Sequence, residues 1–223
     1  MSQGYPIILN LAGRTCIVIG GGAVAARKAR GLLEAGATVK VISPKLVPEL
    51  SAMAETGQIR YEPHEYADGD LEGASLVFAA TDRPDVNALV VSEANRRRIP
   101  VNAADGSPGG DFIVPAVLRR GDLVLTASAS GSGPAVASRI IGELRERYGP
   151  EYTDYLIGLR KIRSWIKAEV ADPVERRRLL EEASTEQSLI EWGRLDDRAD
   201  KRDIIERLRV RALGRKDNGP CAK

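Results

Sequence analysis

The segment that most constrains the fold is a glycine triplet, Gly20–Gly22, which lies directly between an apolar run and a helical stretch. The run before it, Thr15–Ile19 (TCIVI), is continuous, as in a strand that is covered on both faces of a parallel sheet. The stretch after it, Ala23–Glu34, carries apolar residues at helical spacing. A strand, a tight glycine turn and a helix in this order predict the start of a Rossmann-type α/β domain.

The glycine turn carries a dinucleotide-binding fingerprint, because Gly20–Ala25 reads GxGxxA. In this motif the first glycine allows the tight turn and the second lets the backbone approach a pyrophosphate. The small third residue lets helix and strand pack closely, and free N–H groups at the helix N-terminus face the anion. A glycine turn that binds nothing is the alternative, but the strand–turn–helix setting favours a cofactor. The predicted cofactor contacts in this loop are Gly20, Gly22, Ala23 and Val24.

The end of the second predicted strand, Val39–Ile42 (VKVI), indicates where the ribose of the cofactor lies. An Asp or Glu at this point would bind the ribose hydroxyls of NAD, but the sequence has Ser43, Pro44 and Lys45. We predict that these three residues contact the cofactor. Because Lys45 tolerates a 2′-phosphate, they leave NAD and NADP both open.

Two further cofactor contacts are predicted after the apolar run Leu76–Ala80 (LVFAA). Thr81 and Asp82 follow this strand at its carboxyl end, where the ligands of open α/β sheets bind. Asp82 alternatively caps the helix that opens at Pro84.

The rest of the chain continues the α/β pattern and then changes. Further strands are predicted at Ile59–Glu62 and Pro100–Ala103, with a helix over Pro84–Arg98. Two more strands, Ile113–Leu118 and Leu123–Ala127, are joined by a short turn, which favours an antiparallel hairpin. Since two strands are marginal on their own, we expect the hairpin to pair with a second copy of the chain in a homodimer.

The predicted fold class is therefore α/β, with a Rossmann-type parallel sheet, a β-hairpin/helix dimerisation element and a C-terminal helical domain. We place the NAD-binding Rossmann domain at residues 1–112, the dimerisation element at 113–150 and the helical domain at 151–223. Charged side chains become denser at the last boundary. A partial apolar stripe predicts a helix over Asp200–Leu213, and the tail Gly214–Lys223 is predicted to be disordered.

Composition excludes several classes of protein. Lys and Arg total 33 against 31 Asp and Glu, and the resulting net charge of +2 argues against nucleic-acid binding by bulk charge. Neither a run of membrane-spanning length nor a signal-peptide pattern is found, so we expect a soluble cytoplasmic protein. Cys16 and Cys221 form no CxxC pair and His64 is the only histidine, so neither a disulfide framework nor a protein metal site is expected.

A set of segments between residues 5 and 185 forms a more specific pattern than the glycine motif alone. These segments are Tyr5–Leu9 (YPIIL), Gly20–Ala29 (GGGAVAARKA), Ala79–Asp82 (AATD) with Asn87 beyond it, Val101–Asp105 (VNAAD), Asp111–Ala116 (DFIVPA), Pro134–Ala137 (PAVA) and Glu175–Arg178 (ERRR). With them the chain resembles the precorrin-2 dehydrogenase / sirohydrochlorin ferrochelatase family, the first module of siroheme synthase. The resemblance implies NAD-dependent oxidation of the tetrapyrrole precorrin-2 to sirohydrochlorin by a homodimer. Some members also insert ferrous iron to make siroheme.

Asp105 is the predicted catalytic residue. It follows the strand Pro100–Ala103 and precedes a glycine-rich run, which keeps its carboxylate accessible near the cofactor cleft. Oxidation of the ring releases a hydride toward the nicotinamide and a proton elsewhere, and a positioned carboxylate takes that proton or stabilises the cationic ring. The resemblance implies the same role, since the family's essential aspartate aligns with Asp105. The alternative is an aspartate that merely starts a turn, and nearby Asp111 is expected to be structural.

The family's substrate carries many carboxylates, so we expect cations and small hydrogen-bond donors to bind it. On the first helix, Arg27 and Lys28 are candidate cations. For these two residues and for the three arginines named below, the alternative is a solvated surface charge. Ser132 alternatively caps the following helix, and Gly133 stands where relatives often carry serine. The predicted substrate contacts are Arg119, Arg120, Ser130, Ser132 and Arg139.

Two other functions stay open on the sequence. A bifunctional protein would also chelate ferrous iron, with Asp105 as the proton acceptor for the pyrrole nitrogens. A non-catalytic NAD-binding module would instead sense redox state through Gly20–Ala25. Asp105→Ala separates the enzyme from the sensor, because the sensor keeps working whereas the enzyme keeps its cofactor affinity and loses turnover.

Overall fold

The apolar run near the start of the chain forms β1 (Thr15–Ile19), the central strand of a five-stranded sheet in the computed structural model. The structure describes residues 4–106, 108–129, 133–195 and 199–214. The chain divides into two compact units, one up to Val114 and one from Pro115 onward.

The first unit has the Rossmann-type architecture that the sequence predicts. Its elements after β1 are α1 (Ala23–Glu34), β2 (Thr38–Ile42), α2 (Pro48–Glu55), β3 (Ile59–Glu62), β4 (Leu76–Ala79), α3 (Pro84–Arg97) and β5 (Val101–Ala103). The strands lie in the order β3-β2-β1-β4-β5, and every neighbouring pair is parallel. All the carboxyl ends of the strands therefore meet at one edge of the sheet.

Alternate residues of β1 enter two separate cores, which explains why the whole run is apolar. Cys16 and Val18 pack with α1 on one face of the sheet, and Ile17 and Ile19 pack with α3 on the other. Both faces of the strand are thus covered, as a parallel sheet with crossover helices requires.

The connection between β3 and β4 is held against α3 by one buried carboxylate. Glu93 is 1% exposed and accepts hydrogen bonds from the Tyr66 hydroxyl and from the Gly69 N–H (3.1 Å), and Arg97 pairs with it at 2.6 Å. Burial, followed by the hydrogen bond to Glu93, raises the pKa of the Tyr66 phenol. This buried carboxylate is paired and hydrogen-bonded, as a buried charge must be.

The second unit consists of a hairpin and five helices among the described residues. Its elements are β6 (Ala116–Arg120), β7 (Leu123–Ala127), α4 (Pro134–Arg147), α5 (Tyr152–Glu169), α6 (Pro173–Ala183), α7 (Glu186–Trp192) and α8 (Lys201–Gly214). β6 and β7 are antiparallel, as predicted. Helices α5–α8 enclose a separate core around Trp192, whose indole N–H donates to the Ala183 carbonyl at 2.8 Å.

The prediction that the first hairpin strand begins at Ile113 is wrong, because the residues just before it belong to the first unit. Asp111 N–H donates to the Val101 carbonyl at 2.8 Å, and Phe112 packs edge-on against Phe78 with the ring centroids 5.5 Å apart. Pro115 has no N–H to donate to a ladder. The strand therefore begins only at Ala116.

The hairpin, α4 and the later helices form one unit, and the proposed division into 1–112, 113–150 and 151–223 stays a prediction. Ser130, Ser132, Cys221 and all but the first residue of the tail lie outside the described residues. Cys16 is a buried free thiol. Across the described ranges, none of the helices combines the length and the apolar character that crossing a membrane requires.

Candidate active site

The turn after β1 needs glycine at its first position for two reasons. Gly20 has a φ of +125°, and a Cβ on it would lie 2.3 Å from the Ala80 carbonyl oxygen at the end of β4. The Gly20 N–H also donates to the Ile42 carbonyl at 2.9 Å. Gly20 thus lets the turn pass close to the carboxyl ends of β2 and β4.

Gly21, which the fingerprint leaves variable, is constrained as tightly. A Cβ here would lie 1.8 Å from the Lys45 carbonyl oxygen and 2.6 Å from Ser43 Oγ. The Val47 N–H donates to the Gly21 carbonyl at 2.8 Å. The loop after β2 therefore lies directly against the glycine turn, and the only signal for this in the sequence is a third consecutive glycine.

The N-terminus of α1 is open where the fingerprint predicts a pyrophosphate. Gly22 is the N-cap, makes no side-chain cap hydrogen bond, and would place a Cβ with no described atom within 4 Å. Ala23 and Val24 are exposed, the first turn of α1 has no acidic residue, and Ala25 is fully buried against the sheet. Exposed N–H groups at the positive end of a helix fit an anion.

The residues after β2 are held by backbone and hydroxyl contacts. Ser43 is 7% exposed, its Oγ donates to the Lys45 carbonyl at 2.8 Å, and its own carbonyl accepts from the Tyr61 hydroxyl at 3.0 Å. Pro44 and Lys45 are exposed. Ser43 thus fixes the loop, whereas the Lys45 side chain is presented at the carboxyl edge of the sheet.

A buried asparagine joins two of the predicted site residues. Asn87, on α3, is fully buried; its Oδ1 accepts from the Thr81 N–H at 3.2 Å and from the Thr81 hydroxyl at 2.7 Å. Its Nδ2 donates to the Thr81 carbonyl at 3.1 Å and to Asp105 Oδ2 at 2.8 Å. In the sequence Asn87 stands out only as part of the family pattern, and the signal for its role is a polar residue on a buried helix face.

Asp105 and Asp111 have different environments. Asp105 is exposed in a turn after β5, where Gly106 has a φ of +79°. Asp111 instead accepts the Val101 N–H on its Oδ2 at 2.9 Å, so its side chain and backbone both pair with β5. Asp111 therefore has the structural role that was expected of it, and Asp105 keeps an accessible carboxylate.

The alternative role of Asp82 as a helix cap is wrong. The N-cap of α3 is Arg83, and it makes no side-chain cap hydrogen bond. Asp82 is exposed next to Thr81. The glycine turn, the loop after β2, Thr81 and Asp105 all lie at the carboxyl edge of one sheet.

The comparisons with known proteins agree with this geometry. The family described as "Putative NAD(P)-binding" matches residues 7–116. The siroheme synthase of Chromobacterium violaceum is 38% identical over 177 residues, which are 79% of this chain and 38% of that protein. Siroheme synthase 1 of Aeromonas salmonicida is 35% identical over 95% of this chain and 45% of its own length. A solved structure, "SirC, precorrin-2 dehydrogenase", is 26% identical with a TM-score of 0.74, covering 93% of this chain and 100% of that one.

The chain matches an NAD(P)-binding family over residues 7–116 and is similar to the siroheme synthases and to SirC over most of its length. The predicted resemblance and the predicted fold class are both confirmed, and the first unit is a domain for a nicotinamide cofactor. The chain spans about two fifths of the length of the siroheme synthases that it matches.

The arginines predicted to bind the substrate carboxylates lie in the second unit. Arg119 is exposed on β6, whereas Arg120 Nε donates to the Tyr148 carbonyl at 3.0 Å and so braces the hairpin against the end of α4. Arg139 is exposed and pairs with Glu143 one turn along α4. In the first unit Lys28 is half-buried over the Phe78 ring, and burial, then Arg27, lowers the pKa of its ammonium.

One group of side chains in the described residues has metal-ligand types, at the end of β3. Glu62, His64 and Asp70 each offer a ligand atom within 4.8 Å of the others. The Lys40 ammonium lies 3.5 Å from Glu62 Oε2 and donates to the Asp70 carbonyl at 3.0 Å, which already places a cation beside these carboxylates. His64 is exposed, just after β3, and lies within ion-pair distance of Glu62 and Asp70.

Proposed function

We propose that this protein is an NAD-dependent dehydrogenase that oxidises precorrin-2 to sirohydrochlorin in siroheme biosynthesis. The observation that carries the proposal is the bond of Asn87 to both Thr81 and Asp105, because it ties an accessible carboxylate to the cofactor edge of the sheet. The likeness to SirC, a precorrin-2 dehydrogenase, and to the siroheme synthases supports the substrate.

The chain's own residues fit the nicotinamide cofactor. Gly22, Ala23 and Val24 would hold the pyrophosphate at the open N-terminus of α1. Ser43, Pro44 and Lys45 would hold the adenosine ribose, and Thr81 and Asp82 would hold the cofactor at the ends of the central strands. The nicotinamide, when bound, supplies the hydride acceptor.

Asp105 would take the proton that the reaction releases. Oxidation of precorrin-2 removes two hydrogens from the ring, one as a hydride with both electrons and one as a proton. An exposed carboxylate held by a neutral amide can accept that proton and pass it to water. We assign the substrate carboxylates to Arg119, Arg120 and Arg139, with Ser130 and Ser132 as small donors, since arginine binds carboxylates in a bidentate manner.

The first test is anaerobic absorbance spectroscopy of the purified protein with freshly made precorrin-2. We expect oxidation with NAD, and a slower reaction with NADP would support NAD as the cofactor. Ferrous iron is then added: chelation faster than in a protein-free control would show a bifunctional enzyme, and an unchanged rate would show a dehydrogenase alone. Absence of oxidation with both cofactors would overturn the enzyme and favour the redox-sensing module.

We further propose that the chain is a cytoplasmic homodimer that pairs through its hairpin and α4. Among the described strands β6 and β7 pair only with each other, which is marginal for a sheet. Val136 (48% exposed) and Ile140 (37%) form an apolar pair one turn apart on α4.

Light scattering after gel filtration tests the dimer. We expect about twice the chain mass of 24.1 kDa. Ile140→Lys should yield a folded monomer that melts at a lower temperature, because the native state loses the stabilisation of the dimer contact. Val210→Lys, at an apolar residue of α8 that is 65% exposed, should leave the dimer intact. A wild-type mass near that of one chain would contradict the proposal.

A further inference from the structure

Asn87 is a polar residue at a position that favours an apolar one. It lies in the first half of α3 and is fully buried, and asparagine has a lower helix propensity than alanine. Burial of a side-chain amide is unfavourable unless its N–H and C=O groups have partners. The partners of Asn87 therefore indicate what this amide is for.

Three of its hydrogen bonds fix a single residue. Thr81 donates its N–H and its hydroxyl to Asn87 Oδ1 at 3.2 and 2.7 Å, and its carbonyl accepts from Asn87 Nδ2 at 3.1 Å. These bonds hold both the amide plane of Asn87 and the backbone that follows β4.

The remaining amide proton reaches a second loop. Asn87 Nδ2 donates to Asp105 Oδ2 at 2.8 Å, and Asp105 itself is exposed in the turn after β5. Packing contributes little to the orientation of an exposed carboxylate. A buried amide with a fixed plane, by contrast, directs its N–H at one point.

We infer that Asn87 is a positioning residue for Asp105, holding the carboxylate and linking it to Thr81 at the cofactor edge of the sheet. The inference rests on the proposed function of Asp105. A neutral amide suits this task, since a cation in its place would lower the pKa of the carboxyl and make it a weaker base.

Asn87→Asp is the variant that separates positioning from simple packing. It keeps the size of the side chain and the acceptor that Thr81 uses, but it places a second carboxylate beside Asp105. Two facing carboxylates raise the pKa of the proton that they share. We expect the titration of the Asp105 carboxyl, followed by NMR and assigned with Asp105→Asn, to move up by about one pH unit or more. The acidic limb of the pH profile of kcat should move to higher pH together with this titration.

Asn95→Asp is the matched control. Asn95 lies two turns further along α3, is exposed, and donates to the Gly109 carbonyl at 3.4 Å. This variant adds the same charge to the same helix, and we expect the Asp105 titration and kcat to stay at their wild-type values. Equal titration of Asp105 in the two variants would overturn the inference.

Asn87→Ala provides the test if the buried carboxylate prevents folding. It removes the donor without adding bulk, and alanine favours the helix. We expect kcat to fall by about 10- to 100-fold and the Asp105 titration to move up, while the Kd of NAD changes less than kcat. A folded variant with wild-type kcat and titration would contradict the positioning role.

The titration needs neither substrate nor turnover, so it separates two failures. A shifted titration in a protein that does not oxidise precorrin-2 would overturn the proposed function alone. Normal oxidation with an unshifted titration would overturn the positioning role alone.

Discussion

Gly20 and Gly22 lie in the same turn, but their surroundings place opposite demands on a side chain. At Gly20 a Cβ would approach the Ala80 carbonyl to 2.3 Å, and φ is +125°; at Gly22 no described atom lies within 4 Å of it. The first glycine therefore serves the fold, and the second leaves room for a ligand.

Replacing each glycine with alanine should separate these two roles. Gly20→Ala should lower the free energy of unfolding by about 2–4 kcal/mol, because it combines backbone strain with a collision. Gly22→Ala should leave the unfolding transition unchanged and weaken NAD binding, since its methyl group would occupy the approach of the pyrophosphate. Chemical denaturation and calorimetric titration with NAD measure the two effects. Unchanged NAD affinity in Gly22→Ala would place the cofactor elsewhere.

Asp105 and Asp111 allow a similar separation of chemistry from stability. Asp105→Ala should keep the Kd of NAD and lose turnover by about 10²–10⁴-fold, the usual contribution of a general base. Asp111→Ala should keep kcat per folded molecule and lower the free energy of unfolding by about 1–3 kcal/mol, because the Val101 N–H loses its acceptor. Normal oxidation of precorrin-2 by Asp105→Ala would refute the catalytic assignment.

At the scale of elements, one glycine sets how closely two helices of the second unit pack. Gly158 lies in the middle of α5, and a Cβ on it would lie 2.3 Å from the Trp192 carbonyl oxygen at the end of α7. A helix interior disfavours glycine, so its presence here reflects the close contact rather than local propensity.

Gly158→Ala and Gly142→Ala should therefore shift stability in opposite directions. The first should destabilise the protein by about 1–3 kcal/mol, because α5 and α7 must separate to admit the methyl group. The second lies in α4 with no described atom within 4 Å of a Cβ, and it should stabilise by about 0.5–1 kcal/mol through helix propensity. Thermal denaturation of both variants measures this. If both variants are more stable than the wild type, α5 and α7 accommodate a methyl group at position 158 without separating.

The predicted bounds of an element agree with the observed bounds where a single periodic pattern covers the whole element. The predicted helix Ala23–Glu34 and the strand Ile59–Glu62 have the observed bounds. The prediction was wrong at Ile113: Phe112 packs against the core of the first unit, and Ile113 and Val114 are exposed residues that precede the hairpin. Apolar character alone therefore does not show whether a residue lies in a strand or in a core.

At the scale of the whole molecule, the sole histidine gives the protein a distinct pH response. The pKa of His64 is raised above its ordinary value of 6.5, by the Glu65 carbonyl first and then by Asp70 and Glu62. The folded state thus favours the protonated ring. This contribution to stability is fully present below pH 6.5 and is lost as the pH rises through the higher folded-state pKa.

We therefore expect the melting temperature of the wild type to fall relative to that of His64→Gln between about pH 6 and 8. Glu62 acts in a different window: burial raises its pKa, but Lys40 and His64 lower it overall, so its contribution is lost only as the pH falls below 4.5. Differential scanning fluorimetry across both windows distinguishes the two groups. If the melting temperatures of the wild type and His64→Gln change in parallel above pH 6, His64 does not cause this pH dependence.

The sequence by itself determined the strand–glycine–helix unit, the two-sided burial of β1 and the later hairpin, because periodicity and turn chemistry are local properties. Only the tertiary structure placed Gly21 against Lys45 and joined Thr81 to Asp105 through Asn87, which lies 6 residues from one and 18 from the other. The first contact depends on β2 lying beside β1, and the second on β4 lying beside β5. That strand order brings distant loops to one edge of the sheet, and hydrogen bonds between such loops leave no repeating pattern in the chain.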